Sequence, residues 1–188
     1  MTDLETDRLL IRAFRADDLD HFAELMDDAF GTAASREARR EQMAYYSLAE
    51  AVQARLRQPP YGDRAVVLKE GGALVGSVGF VPCLAPFGQL PCFGGVAGAR
   101  YTPEVGLFWA VGSEYRGKGY ATEAAAAMAR FGFDELRLGR LVATTELDNL
   151  ASIAVMRRLG MWVERNPFPT PNWFQAVGVL ECSSKAGM

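Results

Sequence analysis

Histidine occurs once in the 188 residues and cysteine three times, at positions 83, 92 and 182. Zinc sites draw on clustered Cys and His, and no C-x-x-C pair is present, so no metal is expected. An odd cysteine count also argues against a disulfide framework, and the thiols are expected to be reduced. No uninterrupted apolar run is long enough to cross a bilayer, and the start, Met-Thr-Asp-Leu-Glu, lacks the basic and apolar regions of a secretion signal. A cytoplasmic protein with no membrane partner is the expectation. Nor is there a basic excess: a net charge of −3 argues against a nucleic-acid partner, whose phosphates need neutralising. Any positive patch must therefore be local. The one histidine, His21, falls in a helix pattern and reads as a solvated helix residue, not a base.

What is present is an ordinary globular composition, 49% hydrophobic and 23% charged, on a chain long enough for one domain with a substantial core. Arg8 to Phe14 alternates as a strand, and Ala16-Asp-Asp opens a helix through Phe22, Leu25 and Met26. Ser35 to about Arg57 reads as one or two amphipathic helices, stopped by Pro59-Pro60. Ala65 to Lys69 and Ala73 to Val81 flank Glu-Gly-Gly as a hairpin, which Pro82 is expected to end. In the second strand, Gly76 and Gly79 suggest a bulge. Residues 82–103 hold four prolines and four glycines among Phe87, Phe93 and Tyr101, with no period, and read as a long insertion loop. After a central strand from Glu104 to Val111 come a helix from Tyr120 to Leu136, a strand from Arg140 to Thr145 and a short helix capped by Asp148 or Asn149. Two strands, Met161 to Glu164 and Phe174 to Glu181, close the chain.

The most informative stretch joins the central strand to the Tyr120 helix. Val105 to Val111 ends at Gly112, a basic turn follows (Arg116, Gly117, Lys118, Gly119), and the helix opens with Tyr120, Ala121 and Thr122. The first N–H groups of a helix lack internal partners, its dipole favours negative charge there, and glycines admit close approach of the backbone. This is an anion site of phosphate size. A Walker A loop fits from Gly112 to Lys118 but then needs Ser or Thr, where Gly119 stands. A dinucleotide fingerprint fails at Thr122, where the third glycine belongs. The pattern R-x-x-G-x-A, carried by Arg116, Gly119 and Ala121, is in register.

On that pattern the chain resembles the GNAT superfamily of acetyl-CoA-dependent N-acetyltransferases. Leu4-Glu-Thr-Asp-Arg-Leu-Leu-Ile-Arg12 is similar to the opening strand of the branch that acetylates ribosomal-protein N-termini (RimJ/RimL-like). Tyr115 to Glu123 is similar to its cofactor loop, and Asp148-Asn149-Leu-Ala-Ser152, leading to Arg158-Leu-Gly-Met161, to its second cofactor motif. The resemblance implies a single α/β domain over residues 1–188, with a mixed, mostly antiparallel sheet flanked by helices in the order β-α-α-β-β-β-α-β-α-β-β. It implies acetyl-CoA as donor, with its diphosphate on Arg116, Gly117, Lys118, Gly119, Tyr120, Ala121 and Thr122. Backbone groups of Phe108, Trp109, Ala110 and Val111 would hold the pantetheine arm, and Asn149 and Ser152 would make further cofactor contacts. A homodimer is implied as well.

The acceptor implied is a primary amine, first a protein N-terminus and otherwise a small molecule such as an aminoglycoside, polyamine or amino-acid analogue. Neutralising a lysine amine at pH 7 costs roughly 4 to 5 kcal/mol, an α-amine about 1, so an N-terminus needs only a modest base. Glu104 is the first candidate, and Glu146 and Asp148 follow. Many relatives carry a general-acid tyrosine where the register from Asn149 to Gly160 puts Met156, which has no proton to give. Tyr115, Tyr120 or Ser152 would have to serve, or the thiolate leaves unaided. If the base is lost altogether, the chain becomes a non-catalytic acyl-CoA sensor.

Overall fold

The computed structural model describes residues 1–31 and 33–182. The elements are strands β1 (Leu4–Glu5) and β2 (Leu9–Arg12), helices α1 (Leu19–Phe30) and α2 (Arg36–Arg55), and strands β3 (Gly62–Leu68), β4 (Leu74–Ala85) and β5 (Thr102–Val111). Then come α3 (Tyr120–Asp134), β6 (Arg140–Thr145), α4 (Leu150–Arg158), β7 (Trp162–Arg165) and β8 (Ala176–Glu181). The expected order stands, with the two-residue β1 added in front, and the eight strands make a mixed sheet flanked by helices. Contacts group the chain into two compact units, Met1–Val81 with Leu107–Met128, and Pro82–Gly106 with Ala129 onward.

In the first unit β1, β2, β3 and β4 form an antiparallel meander, with Leu4 opposite Ile11, Leu9 opposite Leu68, and Gly62 opposite Phe80. α1 puts Leu19, Phe22, Leu25 and Met26 on one buried face at helical spacing, and Gly31 ends it in the left-handed conformation at φ 64°. Ser35 caps α2 by accepting from the Ala38 amide, and the region expected as one or two helices is a single helix. Phe14, Phe22, Met26, Met43, Ala65 and Val67 form the core, with Tyr46 and Phe108 packed on it. Gly76 and Gly79 mark close backbone approach: a Cβ at Gly76 would lie 2.6 Å from the Ala110 carbonyl oxygen, and at Gly79 2.2 Å from that of Gly62. The register slips by one residue here: Val66 faces Gly76 and Val67 faces Leu74, so Val75 of β4, next to Gly76, is the extra residue, and the bulge falls in the strand where it was expected.

In the second unit β5 meets β6 in parallel at Gly106 and Val142, and β8 runs antiparallel to both β6 and β7. Pro82 does not end β4, which continues to Ala85. The segment after it is less open than its composition suggests. Two short 3-10 turns, Phe87–Gln89 and Pro91–Phe93, bury Phe87 and Leu90 against Val142, Phe174 and Val177. Gln89 accepts from the Asn166 side chain at 2.8 Å, so the polar group drawn inside is satisfied. All three cysteines are free.

Candidate active site

Each feature of the glycine turn has a local cause. The Gly112 amide donates to the Val75 carbonyl (3.1 Å), tying the end of β5 to β4, and Ser113–Tyr115 makes one 3-10 turn. Gly117 and Gly119 take φ values of 77° and 84°, the left-handed region that side chains resist. The Glu123 amide closes the first turn of α3 on the Gly119 carbonyl (3.0 Å), so the amides of Tyr120, Ala121 and Thr122 precede the helical ladder. Arg116, Gly117, Lys118 and Gly119 are exposed, and nothing lies within 4 Å of a Cβ built at Gly117. Open ground, unpaired helical amides and two cations together fit the diphosphate of coenzyme A.

Two carboxylates that sequence reasoning gave no role hold this turn. Asp28, near the end of α1, accepts from the Ser113 amide and from the Arg116 guanidinium, both at 2.9 Å, while Arg116 Nε donates to the Val111 carbonyl at 3.2 Å. Glu123 accepts from the Thr6 hydroxyl (2.6 Å), the Arg8 amide (3.0 Å) and Arg8 Nε (2.7 Å). Burial pushes the Glu123 carboxyl up, but these hydrogen bonds outweigh it and hold the group below the usual glutamate range. Arg8 also donates to the Lys118 carbonyl (3.0 Å) and lies over the Tyr120 ring at 4.6 Å. The Lys118 ammonium sits over Tyr115 at 5.3 Å. Thr6 and Arg8 thus clamp the start of α3.

The first unit also contains a cavity of about 270 Å³ between α1, α2 and the sheet. Met26, Phe30, Val81 and Phe108 supply apolar wall, and Arg39, Gln42, Tyr46 and Asp63 a polar end that carries both a guanidinium and a carboxyl group. Gln42 donates to the Tyr46 hydroxyl (2.7 Å), which donates to Asp63 Oδ2 (3.4 Å). Burial pushes the Asp63 carboxyl up to about 6, with the Ser77 and Tyr46 hydroxyls opposing the rise. Asp63 lay outside the strand expected from Ala65, so its place in a buried strand had no clear signal; charge beside an apolar run was the only one.

In the second unit Glu104 is half-buried, with Oε2 3.6 Å from Arg140 Nε, and Arg140 lies over the Phe93 ring at 4.7 Å. Asn149 caps α4, its side chain accepting from the Ser152 amide at 3.1 Å. Ser152 is half-buried, whereas Glu146 and Asp148 are exposed at the end of β6. Met156 is fully buried in α4, and a Cβ at Gly178 would meet its Sδ at 3.1 Å.

An α/β sheet with an exposed, basic glycine turn leading into a helix is the arrangement expected of a phosphate-binding α/β protein. Residues 8–162 match the family model for the acetyltransferase (GNAT) domain, and the chain belongs to that family. It is similar to the uncharacterized N-acetyltransferase YnaD of Bacillus subtilis, 35% identical over 53% of this chain and 52% of that one. The chain spans about half the length of the curated relatives it matches. Among solved structures it resembles a GNAT-family acetyltransferase from Bacillus anthracis (TM-score 0.66, 24% identity, 95% of this chain and 96% of that one). It also resembles RimL, the ribosomal L7/L12 α-N-protein acetyltransferase, in complex with coenzyme A (TM-score 0.62, 16% identity, 95% and 96%). These likenesses are of fold.

Proposed function

We propose that this protein transfers an acetyl group from acetyl-CoA to a primary amine, residues 1–188 acting as one N-acetyltransferase domain. The observation that carries the reading is the exposed turn from Arg116 to Gly119, opening onto the first amides of α3. Acetyl-CoA supplies an acyl group already activated as a thioester. Arg116, Gly117, Lys118, Gly119, Tyr120, Ala121 and Thr122 hold its diphosphate, and backbone groups of Phe108, Trp109, Ala110 and Val111 bind the amides of its arm. In favour of the latter, the parallel ladder of β5 with β6 is one pair long, Gly106 opposite Val142. Asn149 and Ser152 add contacts from the start of α4.

Glu104 takes the proton from the acceptor nitrogen, with Glu146 the reserve. A carboxylate is a modest base, adequate for an α-amine and poor for a lysine. The preferred acceptor is therefore a protein N-terminus, in keeping with the RimL-like opening motif. Met156 offers no proton to the departing sulfur, which leaves as a thiolate or takes a proton from Ser152, Tyr115 or Tyr120. A small-molecule amine is the second reading, favoured by the Asp63 cavity, which is a compact pocket with one carboxylate. We place the enzyme in the cytoplasm, as a homodimer, without a metal.

Calorimetry with acetyl-CoA tests the donor, and thiol release across a panel of peptides and small amines tests the acceptor. Glu104→Gln should keep donor binding and lose turnover. Full turnover in that variant removes Glu104 from the mechanism, and absence of acetyl-CoA binding by the wild type overturns the proposal.

A further inference from the structure

We infer that the outward face of α2 is a self-association surface, covered by the α2 of a second copy of this chain running antiparallel to it. That assignment rests on the reading of the protein as a homodimer, deepens it by naming the surface, and is independent of the acyl chemistry.

One side of α2 is committed to the fold. Arg39, Met43 and Ala49 are buried, and the Tyr46 ring packs on Phe14 and Phe22. The other side carries Tyr45, Leu48 and Val52, with Leu56 at the C-cap, exposed at 61%, 68%, 45% and 64%. Spaced three and four apart, the four fall within about 80° of one another around the helix and make one apolar stripe roughly 17 Å long. Side chains of this size, more than half exposed on average, present on the order of 300–400 Å² of apolar surface, the extent of a functional patch.

The charges of α2 say what covers the stripe. Arg36 pairs with Asp20, Glu37 with Arg40, Arg39 with Asp27, and Glu50 with Arg64 and the Met1 ammonium. Among the described residues, only Glu41 and Arg55 of this helix are left without an ion-pair partner. They flank the stripe at opposite ends, Glu41 one turn before Tyr45 and Arg55 beside Leu56. In an antiparallel pair with Leu48 on the twofold axis, Tyr45 lies level with Val52 of the second copy, and Glu41 with its Arg55. Each copy supplies both members of each pair, as a self-complementary interface requires, and the opposed helix dipoles attract. A lipid surface fits less well, since the exposed charges beside the stripe, Glu37, Arg40, Glu41 and Arg55, balance and leave no basic face. With these flanking residues each copy buries on the order of 500–600 Å², the low end for specific association, so a weak dimer is expected, with Kd on the order of 10 µM.

The test is sedimentation of the full-length protein from about 1 to 200 µM, a range that brackets the expected Kd. The wild type should pass from monomer to dimer across it. Leu48→Glu sets two carboxylates against each other at the axis and should weaken the dimer about 100-fold or more. Its thermal midpoint should stay that of the wild type, because the position is exposed in the single chain. Glu41→Arg and Arg55→Glu should each weaken the dimer about tenfold by opposing like charges, and the two together should restore it. That rescue separates pairing across the interface from damage to the helix, since a misfolded single variant gains nothing from a second change. A dimer that survives Leu48→Glu, or a double variant no tighter than the singles, overturns this surface while leaving the homodimer reading in place. A wild type still monomeric at the highest concentration overturns both.

Discussion

Two stretches of this chain share a composition and have opposite fates. Residues 112–122 and 82–101 are both rich in glycine, both carry aromatics and both break every helical or strand period. The first is an exposed turn with Arg116 and Lys118 between its glycines. The second folds Phe87 and Leu90 into a core, at 2% and 0% exposure, and edges Phe87 against Phe174 at 5.3 Å. Glycine and proline say only that the backbone turns. What lies between them decides whether the turn is offered to a ligand or drawn inside: cations cannot be buried unpaired, whereas phenylalanine gains about 2–3 kcal/mol by it.

The comparison breaks most sharply at Phe87. Phe87→Ala should destabilise the protein by about 3–5 kcal/mol, because it removes a ring packed against Phe93 and Phe174 and leaves a cavity. Chemical denaturation measures this. A loss under ~1 kcal/mol would mean the segment is an ornament on the fold.

Next in size is the clamp at the start of α3. Glu123→Gln keeps the shape but loses the charge behind three hydrogen bonds, and about 2 kcal/mol of stability should go with it. The sign with pH follows from the lowered carboxyl. The unfolded glutamate titrates near 4.3, so the full difference between wild type and variant is present above that range. It closes as acid protonates the folded carboxyl at its depressed value. A gap that stayed constant into strong acid would show that the hydroxyl and guanidinium contacts do not depend on the charge.

Much of this was readable in the amino-acid order, and the exceptions have physical reasons. Helix α1 and strand β6 followed from periodicity, and Asn149 capped α4 because a short acceptor side chain before an apolar run has few other uses. The glycine turn was legible because left-handed backbone and unpaired amides leave a local trace. Pro82 misled because a proline's effect on a strand depends on where its missing N–H would have pointed, which is not a local property. Asp28, Glu123 and Asp63 were illegible as site residues for the same reason: each acts through a partner far away in the chain, Arg116 for Asp28, Thr6 and Arg8 for Glu123, and Tyr46 for Asp63.

A smaller effect sharpens the reading of the exposed turn itself. Arg116→Ala should weaken acetyl-CoA about tenfold, the value of one charge-assisted contact to phosphate, and move stability by less than ~0.5 kcal/mol, since the pair with Asp28 is exposed. Calorimetry and thermal melting separate the two. An equal loss in both would make Arg116 a brace of the fold and not a ligand contact.

The smallest expected change, and the one with an informative sign, is at Asp28. Its carboxylate neutralises Arg116 beside the turn and also accepts from the Ser113 amide. If its main effect is to hold Arg116 in reach of a diphosphate, removing the charge weakens the donor. If its main effect is to cancel a positive charge that a diphosphate would meet, removal tightens it. The second effect should win. Asparagine still accepts from Ser113, Arg116 keeps its Val111 contact, and an exposed ion pair orients a side chain by only a few tenths of a kcal/mol. Asp28→Asn is therefore expected to bind acetyl-CoA about threefold tighter at low salt, with the gain vanishing near 0.5 M as the ionic atmosphere screens it. Weaker binding at every salt concentration would assign Asp28 to positioning, and would make the arginine's orientation, more than its charge, the property the turn supplies.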